Sequence, residues 1–170
     1  MRVRRVITGR NEQGKSVVIA DKPALEMGPL FEIWVTDRSP CSYGTDDEVA
    51  QRPVRLEPPD NGTLFRFFRL DPEDPALSRD EMERTVATAF AAGGAEHCRP
   101  DTTRDPRMHR TRTVDYIIVL EGEVTMWLDD DEVILKPFDV VIQRGTNHAW
   151  INKGSKPALL ANVLIDAESK

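Results

Sequence analysis

The chain has 170 residues, of which 39% are hydrophobic and 31% charged, and its formal net charge is -6. A chain of this length encloses one sizeable core and does not require a second large domain. Because Lys and Arg are scattered among more numerous acids, the composition argues against a protein that binds nucleic acid or an anionic membrane surface.

No apolar run approaches the ~20 residues of a membrane span, and the first residues lack the apolar stretch of a signal peptide. Cys41 and Cys98 are too few and too far apart to indicate a zinc module or a disulfide framework. Cys98, next to His97, is only a minor candidate for a metal ligand. We therefore expect a cytoplasmic protein with reduced cysteines.

Short β-branched and aromatic runs predict strands in the first part of the chain. "RRVIT" and "SVVIA", joined by the turn-rich "GRNEQGK", predict a hairpin, and "FEIWVTD" predicts a further strand. Residues 38–62 are rich in Pro, Asp and Gly and have little periodicity, which predicts a long connection. "TLFRFFRL" then predicts another strand.

One helix is predicted after that strand. Ser78 and Glu81 form a capping-box pattern, and Gly93 with Gly94 ends the helix. The apolar residues share one face, which we expect to pack in the core: Met82, Val86, Ala89 and Phe90.

The part of the chain from Val114 onward has the pattern of an all-β structure. Short apolar strands alternate with the polar turns "EGE", "DDDE", "KPFD", "RGTN" and "NKGSKP". This alternation is typical of an antiparallel sandwich or barrel.

Two sets of polar side chains are predicted to face the inside of such a barrel. Because side chains alternate between the faces of a strand, the first set lies on one face: His109, Thr111, Thr113 and Asp115. The second set is His148, Trp150 and Asn152. Two imidazoles and a carboxylate would then meet beside a threonine hydroxyl, a set that suits Fe(II), Mn(II), Zn(II) or Ni(II).

These residues carry a resemblance to the cupin superfamily. Its first motif runs His-x-His, three or four residues, Glu, six residues, Gly, and the counterpart here is His109, Thr111, Asp115 and Gly122 at matching spacing. Its second motif ends in Gly, two residues, His, three residues, Asn, matched by Gly145, His148 and Asn152, with Gln143 at the usual proline. Thr111 in place of His, and Asp115 in place of the longer Glu, both weaken metal binding.

The resemblance implies a double-stranded β-helix, a small jelly-roll barrel, with an N-terminal strand extension and one short helix. Residues 105–170 would carry the barrel motifs, and residues 1–104 would supply strands, the long connection and the helix that packs on the barrel, all in one structural domain. The resemblance also implies a homodimer, and the N-terminal strands are suited to pairing with a second subunit.

The implied function is that of a metabolic enzyme acting on a small carboxylate or on an aromatic or carbonyl compound, by lyase, isomerase or dioxygenase chemistry. The alternative is a non-catalytic sensor or carrier that binds a small organic ligand without metal. No DNA-binding helix-turn-helix is evident, and fold alone does not choose the reaction.

Roles for individual residues follow from these two alternatives. His109, Asp115 and His148 are the predicted metal ligands, and His109, Thr111 and His148 the predicted catalytic residues; without metal, the histidines would hold or protonate a substrate. The candidates for substrate binding are Trp150, Asn152, Arg107 and His97. Trp150 is otherwise core filling, and His97 otherwise a surface or lid residue. The segment 97–108 is either a flap whose arginines meet a substrate carboxylate or a charged surface loop.

Overall fold

The computed structural model describes residues 2–42 and 52–168. The first part contains β1 (Arg4–Arg10), β2 (Ser16–Pro23), β3 (Leu25–Met27), β4 (Leu30–Thr36), β5 (Thr63–Leu70), α1 (Arg79–Ala92) and a short 3₁₀ helix (Glu96–Cys98). The second part contains β6 (Thr113–Glu121), β7 (Val124–Trp127), β8 (Glu132–Leu135), β9 (Val140–Arg144), β10 (Ala149–Ile151) and β11 (Ala158–Asp166).

Two antiparallel sheets form the barrel. Among the described residues, one sheet has the order β3-β4-β5-β11-β6-β9 and the other the order β10-β7-β8. An apolar cluster joins the two sheets: Ile117 and Leu160 of the larger sheet pack with Val124, Leu135 and Trp150 of the smaller one. This architecture confirms the predicted all-β cupin barrel.

The N-terminal strands take two different places. β1 and β2 form a separate antiparallel hairpin, as predicted. β4 and β5 instead lie in the larger sheet, where β5 pairs with β11 along its whole length. The barrel therefore draws strands from both sides of residue 104.

The long connection between β4 and β5 contains no helix or strand in its described part, residues 38–42 and 52–62. Its remaining residues, 43–51, lie outside the described residues. Residues 52–55 and 57–59 line a cavity together with Glu32 and Arg66 of the larger sheet. The connection thus covers part of the barrel.

Helix α1 begins and ends where its sequence predicts, but its predicted core face is wrong. The Ser78 hydroxyl accepts a hydrogen bond from the backbone N–H of Glu81, and the Glu81 carboxylate accepts one from the backbone N–H of Ser78. None of the helix residues is fully buried. The helix lies on the surface of the barrel, where Phe90 of its apolar face contacts His109.

Among the described residues, no helix combines the length and the apolar character needed to cross a membrane.

Gly122 lies in a turn where both its backbone conformation and the close approach of Ala158 disfavour a side chain. Its φ is +81°, and a Cβ there would lie 2.8 Å from the Ala158 Cα. Gly14 has a similar φ of +72°, but a Cβ there would meet nothing within 4 Å. Left-handed strain costs about 1–3 kcal/mol at either position, and only Gly122→Ala adds a clash with backbone. We expect Gly122→Ala to lower the free energy of unfolding, measured in urea, by at least about 1 kcal/mol more than Gly14→Ala. Equal losses would contradict this account of the turn.

Candidate functional site

The two histidines of the motif lie side by side. Each precedes a strand, and their backbones pair in an isolated antiparallel bridge. The N–H of His109 donates to the carbonyl of His148 at 2.9 Å, and the reverse bond is also 2.9 Å. The ring centroids are 4.3 Å apart. Backbone pairing thus brings the two imidazoles together, and we call them the histidine pair.

Both rings of the histidine pair are oriented by backbone carbonyls. Nδ1 of His109 donates to the carbonyl of Arg107, and Nδ1 of His148 to that of Thr146, each at 2.9 Å. A carbonyl only accepts hydrogen bonds, so Nδ1 carries the proton and Nε2 keeps its lone pair in the neutral ring. In metal sites, a hydrogen bond from the ring nitrogen that does not bind the metal to a carbonyl orients the histidine in the same way.

The surroundings keep both rings neutral. Burial lowers the pKa of His109, and burial together with the neighbouring His109 lowers the pKa of His148 to about 3. The contacts to the carbonyls act in the opposite direction but are the smaller effect. A neutral imidazole at physiological pH is the form that binds a metal or accepts a proton.

Aromatic rings enclose the histidine pair. The ring of Phe90, on α1, meets His109 edge to face at 5.1 Å, and Trp150 meets His148 at 5.9 Å. Trp150 also belongs to the barrel core, so it both fills the core and flanks the pair. The helical periodicity placed Phe90 on the apolar face of α1, but nothing in the sequence indicated that this face covers His109.

The next inward side chains along the chain are Thr111, Thr113 and Asp115, and all three are buried. The two threonine hydroxyls are 2.6 Å apart. Burial raises the pKa of Asp115 to about 6, although Thr113, Arg66 and Asn162 act in the opposite direction. Its Oδ1 has no hydrogen-bond partner among the described residues.

The three predicted metal ligands do not converge into one compact group in the part of the chain that the structure describes. Within the described residues, the donor atoms of His109, Asp115 and His148 do not all come within 4.8 Å of one another. A different group does: Glu57, His97 and Cys98.

A buried ion pair lies on the larger sheet near Asp115. Glu32 of β4 and Arg66 of β5 are register partners, and their side chains meet at 3.0 Å with 4% of each exposed. Arg66 also attracts Asp115 and donates a hydrogen bond to the carbonyl of Arg55 in the long connection. One guanidinium therefore compensates two buried carboxylates. The alternating pattern of "TLFRFFRL" predicted a strand but not this pairing.

Open space lies at the threonine end of the site. A cavity of about 770 Å³ is lined by Thr111 and Thr113 together with Glu57 and His97. A second cavity, of about 210 Å³, reaches Glu32 and Arg66. Residues of the long connection line part of both cavities. The connection has no regular sequence pattern, so its place beside the site was not predicted.

The arginines of segment 97–108 have partners within the protein. Arg99 binds Glu83 and the carbonyl of Pro106, and Arg107 binds Asp105 and Glu73. Arg104 donates to backbone carbonyls of the β7–β8 turn. These contacts favour the charged-loop alternative over a flap that meets substrate.

Two other candidates for substrate binding also have protein partners. The Asn152 side chain donates to the carbonyls of Leu70 and Lys156 and accepts from the N–H of Gly154, so it braces a loop. His97 is exposed, and its Nε2 lies 2.8 Å from a carboxylate oxygen of Glu57. Next to it, burial and Glu57 raise the pKa of the Cys98 thiol to about 12, which disfavours a reactive thiolate.

The chain is similar in sequence to a known domain family and to several known proteins. Residues 96–165 match the family model described as the cupin domain. Phomopsin biosynthesis cluster protein C' of Diaporthe leptostromiformis is 48% identical over 167 residues, which cover 98% of this chain and 78% of that protein. The cupin-domain-containing oxidoreductase fogC of Aspergillus ruber is 41% identical over 169 residues, which cover 97% of this chain and 73% of that protein.

Solved structures show more distant likenesses, which concern the fold alone. An RmlC-like cupin family protein with a double-stranded β-helix fold, from Methanocaldococcus jannaschii, has a TM-score of 0.39 at 13% identity, over 61% of this chain and 70% of that one. A Cupin 2 conserved barrel domain protein of Salinispora arenicola has a TM-score of 0.37 at 12% identity, over 62% and 64%. From the family-model match and the two relatives that align along nearly its whole length, the chain belongs to the cupin family.

Proposed function

We propose that the chain is an oxidoreductase of small-molecule biosynthesis that acts on a small carboxylate or on an aromatic or carbonyl compound at the histidine pair. The observation that carries this proposal is the pairing of two neutral imidazoles whose Nδ1 atoms are both fixed by backbone carbonyls. Lyase, isomerase and dioxygenase chemistry are all compatible with the motif. The names of the relatives, a biosynthesis cluster protein and an oxidoreductase, support the redox option.

The histidine pair fits a divalent metal ion. Each ring keeps an Nε2 lone pair, and neither ring is charged at neutral pH. His109 and His148 would hold the ion, with Asp115 as the proposed third ligand, and Fe, Mn, Zn or Ni are the candidates. A bound ion supplies Lewis-acid chemistry and, for iron or manganese, redox chemistry.

The remaining side chains have roles of their own in this proposal. The hydroxyls of Thr111 and Thr113 border the larger cavity and can hydrogen-bond a polar group of the substrate. Phe90 and Trp150 exclude water from the two imidazoles. A neutral Nε2 of either histidine accepts a proton, which is general-base work.

One observation favours the alternative of a metal-free sensor or carrier. The donor atoms of His109, Asp115 and His148 do not all come within 4.8 Å of one another, and a threonine replaces one imidazole of the motif. In that case the histidine pair would bind an organic ligand by hydrogen bonds alone.

A ligand screen separates the two functions. Small carboxylates and phenolic acids are tested for a rise in melting temperature, and each hit is incubated with metal and dioxygen and analysed by mass spectrometry. We expect a hit to be converted, and turnover to fall by about 10²–10⁴-fold in His109→Ala. The control is Tyr116→Ala, which changes an exposed residue on the opposite face of β6. A ligand that stabilises the protein and is recovered unchanged would contradict the enzyme.

We also propose that the chain forms a homodimer. The β1–β2 hairpin exposes Val18 and Ile19 by 59% and 53%, and the edge strand β9 exposes Val140 and Ile142 by 58% and 54%. Exposed apolar edges of this kind are unfavourable in an isolated subunit. We expect light scattering to give twice the chain mass, and a monomer mass at micromolar concentration would contradict the dimer.

A further inference from the structure

A second group of metal-binding side chains lies outside the histidine pair, where the long connection meets the 3₁₀ helix. The group consists of Glu57, His97 and Cys98, and we call it the Glu57 cluster. One ligand atom from each of its residues lies within 4.8 Å of the others. Nε2 of His97 is 2.8 Å from Oε2 of Glu57 and 3.5 Å from Sγ of Cys98.

The distances within the Glu57 cluster agree with tetrahedral coordination. Zinc bonds of about 2.3 Å to sulfur and about 2.0–2.1 Å to nitrogen place these two atoms roughly 3.5 Å apart, and the distance between Sγ and Nε2 is 3.5 Å. The same geometry places nitrogen and a carboxylate oxygen about 3.4 Å apart. The 2.8 Å contact between His97 and Glu57 would therefore lengthen by about 0.6 Å as the ion replaced their shared hydrogen.

The backbone around the cluster holds its ligands in place. Cys98 is 1% exposed, and its carbonyl accepts the N–H of Arg110 at 2.7 Å. Oε1 of Glu57, the other oxygen of the carboxylate that contacts His97, accepts the N–H of Arg112 at 2.8 Å. In metal sites, hydrogen bonds to those atoms of a ligand residue that do not bind the metal commonly hold the residue in its orientation. Both supports come from the segment that leads into β6.

The cluster also offers a place for a fourth ligand. Glu57 and His97 line the cavity of about 770 Å³, so water has access to the site. A thiolate, an imidazole and a carboxylate with one open position form a ligand set that zinc accepts.

From these contacts we propose that Glu57, His97 and Cys98 bind one zinc ion per chain, with water as the fourth ligand. When the ion binds, the sulfur–hydrogen bond of Cys98 gives way to a sulfur–zinc bond, and the proton passes to solvent. The ion links the long connection to the segment that precedes His109. It therefore stabilises the cover of the barrel beside the histidine pair.

Cobalt(II) distinguishes this site from the histidine pair, because only a site with a thiolate gives the intense near-ultraviolet thiolate-to-cobalt charge-transfer band. The full chain is treated with chelator, dialysed and titrated with cobalt(II). We expect the band to saturate at one equivalent in His148→Ala, and within two equivalents in the wild type and in Cys41→Ser, where the histidine pair also takes up cobalt(II). Cys98→Ser should abolish the band, and Glu57→Gln should shift its half-saturation to at least about tenfold higher cobalt.

Zinc alone provides a second measurement that does not depend on spectroscopy or on turnover. In the His148→Ala background, which lacks a functional histidine pair, one equivalent of zinc(II) should raise the melting temperature. This rise should be smaller when Glu57→Gln is added and absent when Cys98→Ser is added to a chain that still folds. No charge-transfer band in the wild type, or a band that persists in Cys98→Ser, would overturn the proposal. The histidine pair contributes no thiolate, so either result leaves the proposed oxidoreductase function untouched.

Discussion

Arg66→Met is expected to lower the free energy of unfolding by about 3–5 kcal/mol. The substitution keeps the apolar stem but removes the guanidinium that compensates Glu32 and Asp115, and all three residues are buried. A buried carboxylate without a partner loses its hydration free energy on folding, and the protein interior replaces little of that stabilisation. Unfolding in urea, followed by tryptophan fluorescence, measures the loss.

The double variant Glu32→Leu with Arg66→Met is the control, because it removes one of the two buried carboxylates that Arg66→Met leaves without a compensating charge. We expect the double variant to be more stable than the single one. Burial already raises the pKa of Glu32 above its usual value of 4.5, and Arg66 opposes this rise. A carboxyl whose pKa is raised by folding destabilises the fold as pH rises through that range. Arg66→Met should therefore lower the free energy of unfolding less at pH 4 than at pH 7. A decrease that does not depend on pH would contradict this role of Arg66.

His148→Ala is expected to remove the ion proposed at the histidine pair and to abolish turnover. The variant deletes one of two adjacent imidazoles. A single imidazole, that of His109, does not bind a divalent ion tightly enough to retain it through purification. The backbone bridge to His109 uses main-chain atoms, so the strand pairing does not depend on the imidazole. Circular dichroism should therefore show an unchanged β-sheet spectrum.

The sequence predicted those features of the site that depend on local pattern. The strands follow from alternation, and the capped helix from Ser78, Glu81 and Gly93. The spacing of the two motifs placed His109 and His148 on inward faces, and the barrel bridges them. In each case the information lies within a few residues along the chain.

The features that the sequence did not predict depend on contacts between distant segments. Phe90 covers His109 because α1 lies on the barrel, and no periodicity reveals which surface a helix covers. Glu57 reaches His97 across 40 positions of the chain from a connection without regular pattern. The apolar face of α1 has the spacing of a core helix, yet none of its residues is fully buried, since periodicity gives direction and not depth.

Metal analysis of the protein purified without an affinity tag tests the central claim, that the histidine pair is the functional centre, most directly. Cys98→Ser is the reference, because it lacks the thiolate of the Glu57 cluster, and it is compared with the same chain carrying His109→Ala and His148→Ala. The account predicts close to one divalent ion per chain in the reference and close to none in the triple variant. Equal metal content in the two proteins would contradict it.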